Sequence, residues 1–135
     1  MRRLIVALAA AAVAACSMPV DRKPAEDAVH KFHGLLDAGQ FETIYTASGD
    51  DLKATSPRHE FVALLTEVHR KLGPTTLFRQ KRWTIDYGMS NAMLTLDYAT
   101  RYAAGEASER FVYLMHGEKA VLVDYQIRSS ALEMQ

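Results

Sequence analysis

The sequence predicts a single α+β domain, with three N-terminal helices packed on a curved four-stranded antiparallel sheet. Three observations point there. Apolar residues recur at three- and four-residue spacing as far as Leu72. After Gly73-Pro74 the apolar period falls to two and stays so to Arg128. Gly88, Gly105 and Gly117 interrupt that second half where hairpin turns would fall, so sequential strands pair as neighbours. Helices first and strands afterwards is an α+β layout, and 135 residues make one domain.

The chain opens Met1-Arg2-Arg3 and runs apolar from Leu4 to Ala15. A spanning helix needs about 20 apolar residues, so this stretch is too short and reads as a removable secretory signal, residues 1–15. Val13-Ala14-Ala15-Cys16 resembles the lipobox of bacterial lipoproteins. The resemblance implies transfer of diacylglycerol to the Cys16 thiol, cleavage after Ala15 and acylation (palmitate or a similar chain) of the new amino terminus. The alternative is an ordinary signal peptide with an incidental cysteine. Against it, the sole cysteine of the chain falls at the position the lipobox requires. One acyl chain holds a protein only marginally, whereas two or three anchor it firmly. Ser17 in place of an aspartate resembles the sorting signal for the outer membrane. Residues 16–23 form a short lipidated tether and residues 24–135 the domain. Losing Arg2 and Arg3 from 16 basic residues leaves 14 against 16 acidic ones, a formal charge of −2. That balance offers nothing to nucleic acid.

From Pro24, a residue suited to a first helical turn, Ala28, Val29, Phe32, Leu35 and Leu36 form one stripe. Gly39 is placed to cap that helix in a left-handed conformation. A short second helix holds Phe41, Ile44 and Tyr45, and Ser48-Gly49-Asp50 breaks it. The third has Ser56 as N-cap, Pro57 at its first position, and Phe61, Leu64, Leu65, Val68 and Leu72 on one face. Strands follow at about Thr76–Tyr87, Ala92–Ala103, Ala107–His116 and Ala120–Arg128.

Strand register decides which side chains share a face, since a one-residue slip turns a strand over. A four-residue Gly88–Asn91 loop puts Ile85 opposite Leu94 and Trp83 opposite Leu96. A two-residue Gly105-Glu106 turn puts Tyr102 opposite Glu109, Thr100 opposite Phe111, and Tyr98 opposite Tyr113. An odd-length Gly117-Glu118-Lys119 loop, preferred to a bulge, brings Val121, Val123, Tyr125 and Ile127 onto the same face.

Helices followed by a sheet ending Leu122-Val123-Asp124-Tyr125-Gln126-Ile127 resemble the cone fold of the nuclear transport factor and ketosteroid isomerase superfamily (cystatin-like in outline). More narrowly, the stretch Phe32–Phe41, Arg70-Lys71-Leu72-Gly73 and the stretch Tyr98–Ala107 resemble an uncharacterised family of bacterial secreted proteins within it. The resemblance implies a fold and no chemistry. The superfamily contains isomerases, dehydratases, ligand carriers and dimerisation modules.

On these registers the inner face has an apolar end, containing Trp83, Ile85, Leu94, Leu96, Met115, Val121 and Val123. Its mixed end sets Lys81 beside Tyr98, Arg79 beside Thr100 and Glu109 beside Tyr102, with Tyr113 nearby. An apolar cone with polar groups at its mouth is how small-molecule sites are built. A solvated strand end is the commoner origin of such a row. Met93, Val112, Leu114 and Leu122 fall on the opposite face, which is more apolar than a wet sheet face needs and predicts a homodimer. His30 and His33 lie three apart, but Glu26 and Asp37 are ordinary helix-surface partners for them and no further ligands converge, so no metal is expected. His59 points away from the core and His69 lies at the edge of its stripe. Arg79-Gln80-Lys81-Arg82-Trp83 splits between two faces and reads as a solvated strand. No catalytic residue and no cofactor is assigned.

The function expected is a lipid-anchored envelope protein at the periplasmic face of the outer membrane, acting as a non-catalytic binding module. Its partner is an envelope protein or a small apolar ligand. The rival is an isomerase- or dehydratase-type enzyme using Glu109 as acid or base, with Tyr98 or Tyr102 polarising a carbonyl. The rival requires Glu109 in an enclosed cavity with a raised pKa. A binding module requires a filled or shallow cone and an exposed Glu109.

Overall fold

The computed structural model describes residues 20–133. The signal segment 1–15 and the first half of the 16–23 tether, Cys16 included, lie outside the described residues. Helix α1 (Lys23–Asp37) begins with Pro24 in its first turn and buries Ala25, Val29, Phe32, His33 and Leu36. Gly39, at φ +71°, takes the left-handed turn that ends it. Helix α2 (Phe41–Ala47) buries Ile44 and Tyr45.

A further helix, α3 (Asp50–Thr55), stands before the sheet, where the Ser48-Gly49-Asp50 pattern predicts only a break. Leu52 holds it to the core, and Gly49 N–H donates to the Leu122 carbonyl at 2.8 Å. Helix α4 (Arg58–Leu72) starts later than expected. Ser56 closes α3 instead of capping α4, in the extended conformation that a residue before proline favours, and Pro57 is the N-cap. Leu64 falls off the buried stripe and is 37% exposed.

The strands β1 (Thr75–Tyr87), β2 (Ala92–Tyr102), β3 (Gly105–His116) and β4 (Lys119–Arg128) form one antiparallel sheet in that order, and a short α5 (Ser130–Glu133) follows. Ile85 faces Leu94 and Trp83 faces Leu96 as expected. Two bulges then change what the later residues do.

The first bulge, at Lys81, brings Gln80 opposite Tyr98 and Phe78 opposite Thr100. Lys81 and Arg79 therefore do not sit beside Tyr98 and Thr100 on the inner face, and both are exposed. The β2–β3 turn is Ala103-Ala104, two residues earlier than Gly105-Glu106, because Pro74 and Leu72 carbonyls accept the Ala103 and Ala104 amides at 2.9 Å each. Glu109 thus lies opposite Tyr98 in place of Tyr102, and Tyr113 opposite Leu94. The displacement is even, so every inward residue stays inward.

The third hairpin turns on two residues, Gly117-Glu118, and not on an odd-length loop. A bulge at Val123 does the correcting. Beyond it Tyr125 faces Phe111 and Ile127 faces Glu109, while before it Leu122 faces Tyr113. Leu122 therefore belongs to the core, not to the outer face with Met93, Val112 and Leu114.

The helices cover one face of the sheet. Every second residue of β2 from Ala92 to Tyr102 and of β3 from Ala107 to Met115 is buried there. Each fully buried Leu or Phe on these strands contributes about 1.5–3 kcal/mol of transfer free energy. Coverage fails along β1, where Trp83, expected in the apolar end of the cone, is 45% exposed.

Candidate functional site

Alternation along β3 sends Glu109 inward between Ala107 and Phe111, beneath α1. His33 comes down from α1 four residues after Val29, inside the buried stripe. Its ring packs on Phe78 at 4.3 Å between centroids and edge-on to Phe111 at 5.8 Å. Phe32, Phe111 and Tyr125 pack together next to it, with centroids 4.7–5.2 Å apart. These rings exclude water from the carboxylate.

Glu109 accepts three hydrogen bonds there. His33 Nε2 donates to Oε1 at 2.8 Å, while Tyr102 Oη at 2.9 Å and Tyr125 Oη at 2.5 Å both donate to Oε2. An ionised carboxylate only accepts, so His33 Nε2 carries a hydrogen; Nδ1 has no partner among the described residues. Thr100 Oγ1 adds to the favourable field at the carboxylate without reaching hydrogen-bond geometry.

The protonation balance follows from these contacts. Burial alone pushes the Glu109 carboxyl up, but the hydrogen bond and charge of His33, helped by Tyr125, outweigh it and hold the group below its usual value of 4.5. Burial, and then the Glu109 charge, push the Tyr102 and Tyr125 phenols far above their usual range. Burial does the same for Tyr113. Tyr98 is also raised, by burial and by the charge of Glu26. The phenols are thus fixed donors and the carboxylate a fixed acceptor.

Of the residues expected at a pocket, the fold gathers Tyr98, Thr100, Tyr102, Glu109 and Tyr113 on the buried face, and leaves Arg79 and Lys81 in solvent. His33 and Tyr125, which the strand registers alone do not bring to Glu109, complete the constellation. The expected criteria divide: Glu109 is buried, as an enzyme would need, but its pKa is lowered and aromatic side chains fill the space around it. A general base must offer a lone pair to a substrate proton. Both oxygens of Glu109 are already engaged.

The core opens to the surface elsewhere. A cleft of about 290 Å³ between α1, α2 and the β3–β4 hairpin is lined by Phe32, Leu35, Ile44, Tyr113 and Leu122, with Lys31 and Lys119 also at its wall. Among the described residues, its charged lining groups are those two cations. Among the described residues, no three His, Cys, Asp or Glu side chains are grouped to hold a metal. Asp37 pairs with Thr75 at the start of β1, through N–H at 3.0 Å and Oγ1 at 2.5 Å, and not with His33. His30 lies edge-on to Phe78 at 4.6 Å.

No family model matches the chain, and no curated protein does.

Proposed function

We propose that the chain is a bacterial envelope lipoprotein, anchored through lipid on Cys16 at the periplasmic face of the outer membrane. Its α+β domain is a cone of the nuclear transport factor-like kind, acting as a non-catalytic binding module. The observation that carries the binding reading is the enclosure of Glu109: three donors engage both oxygens of the carboxylate, and its burial among packed aromatic rings leaves a substrate no approach to it. The cleft beside Phe32 supports a small apolar ligand, and Lys31 and Lys119 suit one with an anionic head. An envelope protein or a second copy of the chain would meet the outer sheet face, where Met93, Val112 and Leu114 are half-buried.

The test is native mass spectrometry of the full chain, purified gently from its host. The expected result is a co-purifying amphiphile of defined mass that is lost in Ala47→Phe, a substitution in the cleft wall. An apo chain that instead turns over a carbonyl substrate, and stops doing so as Glu109→Gln, would replace the binding reading with the enzymatic one.

A further inference from the structure

The two edges of the sheet are treated differently. On β4 the α2–α3 corner closes in, with Gly49 N–H on the Leu122 carbonyl. Among the described residues, no strand pairs with the outer side of β1. Leu77, Trp83, Tyr87 and, in the following turn, Met89 are 60, 45, 68 and 108% exposed. The remaining large exposed apolar side chain among the described residues, Leu64, lies on α4. Solvent-exposed edge strands with apolar side chains invite association, and natural proteins normally blunt or cover them.

The same strand is basic. It carries Arg79, Lys81 and Arg82 against a single acid, Asp86. Arg82 approaches Asp97 at 3.4 Å, but Arg110 holds that carboxylate more closely at 2.7 Å. Arg79 and Lys81 have no carboxylate partner among the described residues.

The polypeptide also enters the domain against this strand. The Arg22 guanidinium lies 4.3 Å over the Trp83 ring and donates to Gln80 Oε1 at 3.2 Å. Val20 follows Cys16 by four residues, a reach of at most about 14 Å. A lipid on Cys16 would therefore hold β1 near the bilayer.

We propose that β1 and the β1–β2 turn rest edge-on against an anionic lipid surface. Trp83, Tyr87 and Met89 sit in the interfacial layer, while Arg79, Lys81 and Arg82 reach lipid phosphates. Trp and Tyr prefer the headgroup level because each has an apolar body and a polar tip. Long basic side chains lay their stems on apolar surface and their charges on phosphate. Each such charge near an anionic leaflet strengthens attachment roughly five-fold. The inference takes the place of the anchor from the lipoprotein reading; the seat itself is made by residues of β1.

Trp83 is the only tryptophan, so its fluorescence reports the seat alone. The full chain, purified from membranes with its lipid, is reconstituted into vesicles of brominated phosphatidylcholine with or without phosphatidylglycerol. The expected result is a blue shift and quenching of Trp83 in anionic vesicles, both weaker in neutral ones. Both should be lost in the triple variant Arg79→Glu, Lys81→Glu, Arg82→Glu, with circular dichroism unchanged. Trp83 left open to acrylamide and unquenched in anionic vesicles overturns the proposal, as does equal quenching of the triple variant. Trp83 emission that changes with protein concentration without lipid also overturns it, in favour of a second copy. Intact mass separates the two readings. A chain without lipid on Cys16 ends the anchor reading, and its sedimentation with anionic vesicles, lost in the triple variant, would still support the β1 seat; no sedimentation would overturn it.

Discussion

Replacing Glu109 by glutamine alters one oxygen and removes one charge, in a site closed on every side by His33, Tyr102, Tyr125 and Phe111. The amide has one acceptor oxygen where the carboxylate had two. If that oxygen takes the place of Oε2, both tyrosines keep an acceptor and the NH₂ group confronts His33 Nε2. If it takes the place of Oε1, the NH₂ group confronts two phenol hydroxyls. In either orientation at least one buried donor loses its acceptor, which costs roughly 1–3 kcal/mol. Glu109→Ala strands all three donors and costs about 3–5 kcal/mol, the range for breaking a buried pair from one side. Urea unfolding at neutral pH, with an unchanged dependence on denaturant, reads these differences. The acid limb adds a sign. The folded pKa of Glu109 lies below the usual 4.5, so the stability it contributes is complete above that value and is lost as pH falls through the folded pKa. The gap between the parent and Glu109→Gln should therefore be constant near neutrality and narrow in acid. A gap under about 0.5 kcal/mol at pH 7, below the cost of any stranded donor, or one that widens in acid, refutes the reasoning.

Tyr125→Phe removes one of two donors to Oε2 and should cost about 1.5–3 kcal/mol, read by thermal melting. Gly49→Ala would place its Cβ 3.0 Å from Val121 Cγ1 and 3.2 Å from Val123 Cγ1, at an unstrained φ of −78°. The β4 edge must yield, and a loss of about 1–2 kcal/mol is expected in urea. Leu122→Asp and Leu114→Asp separate the two sides of the Val123 bulge: the first buries a charge and should cost more than about 3 kcal/mol, the second under about 1 kcal/mol. Equal costs would place Leu122 outside after all. If a homodimer uses the outer face, Leu114→Asp should sediment as monomer where the parent does not.

The helical stripes, the change of period after Gly73-Pro74 and the β1–β2 pairing of Trp83 and Ile85 were legible because each repeats over many residues. The bulges were not. A single extra residue at Lys81 or Val123 follows no local period, and each turned a stretch of strand over. That is why regular alternation puts Arg79 and Lys81 inside and Leu122 outside. The early Ala103-Ala104 turn was hidden for another reason: its amides bond to the α4–β1 junction, a contact between residues some thirty apart. Glu109 could be read as inward from alternation alone. His33 could not, since the helical wheel leaves it at the margin of its stripe and only the Phe78 ring shows that the margin is covered. The sequence puts Tyr125 on the inner face, where the structure has it, but gives no sign that its hydroxyl reaches across to the carboxylate on β3.

Whether Glu109 is a sealed structural anion or a base awaiting a substrate is decided most directly by its own titration. The side-chain carboxyl carbon of Glu109, labelled with ¹³C and assigned through Glu109→Gln, can be followed by NMR from pH 7 downward. A sealed anion is expected to stay ionised below the usual 4.5, with no titration near neutrality. A carboxyl that takes up its proton above pH 5 would contradict it, and would return Glu109 to the role of a catalytic acid or base.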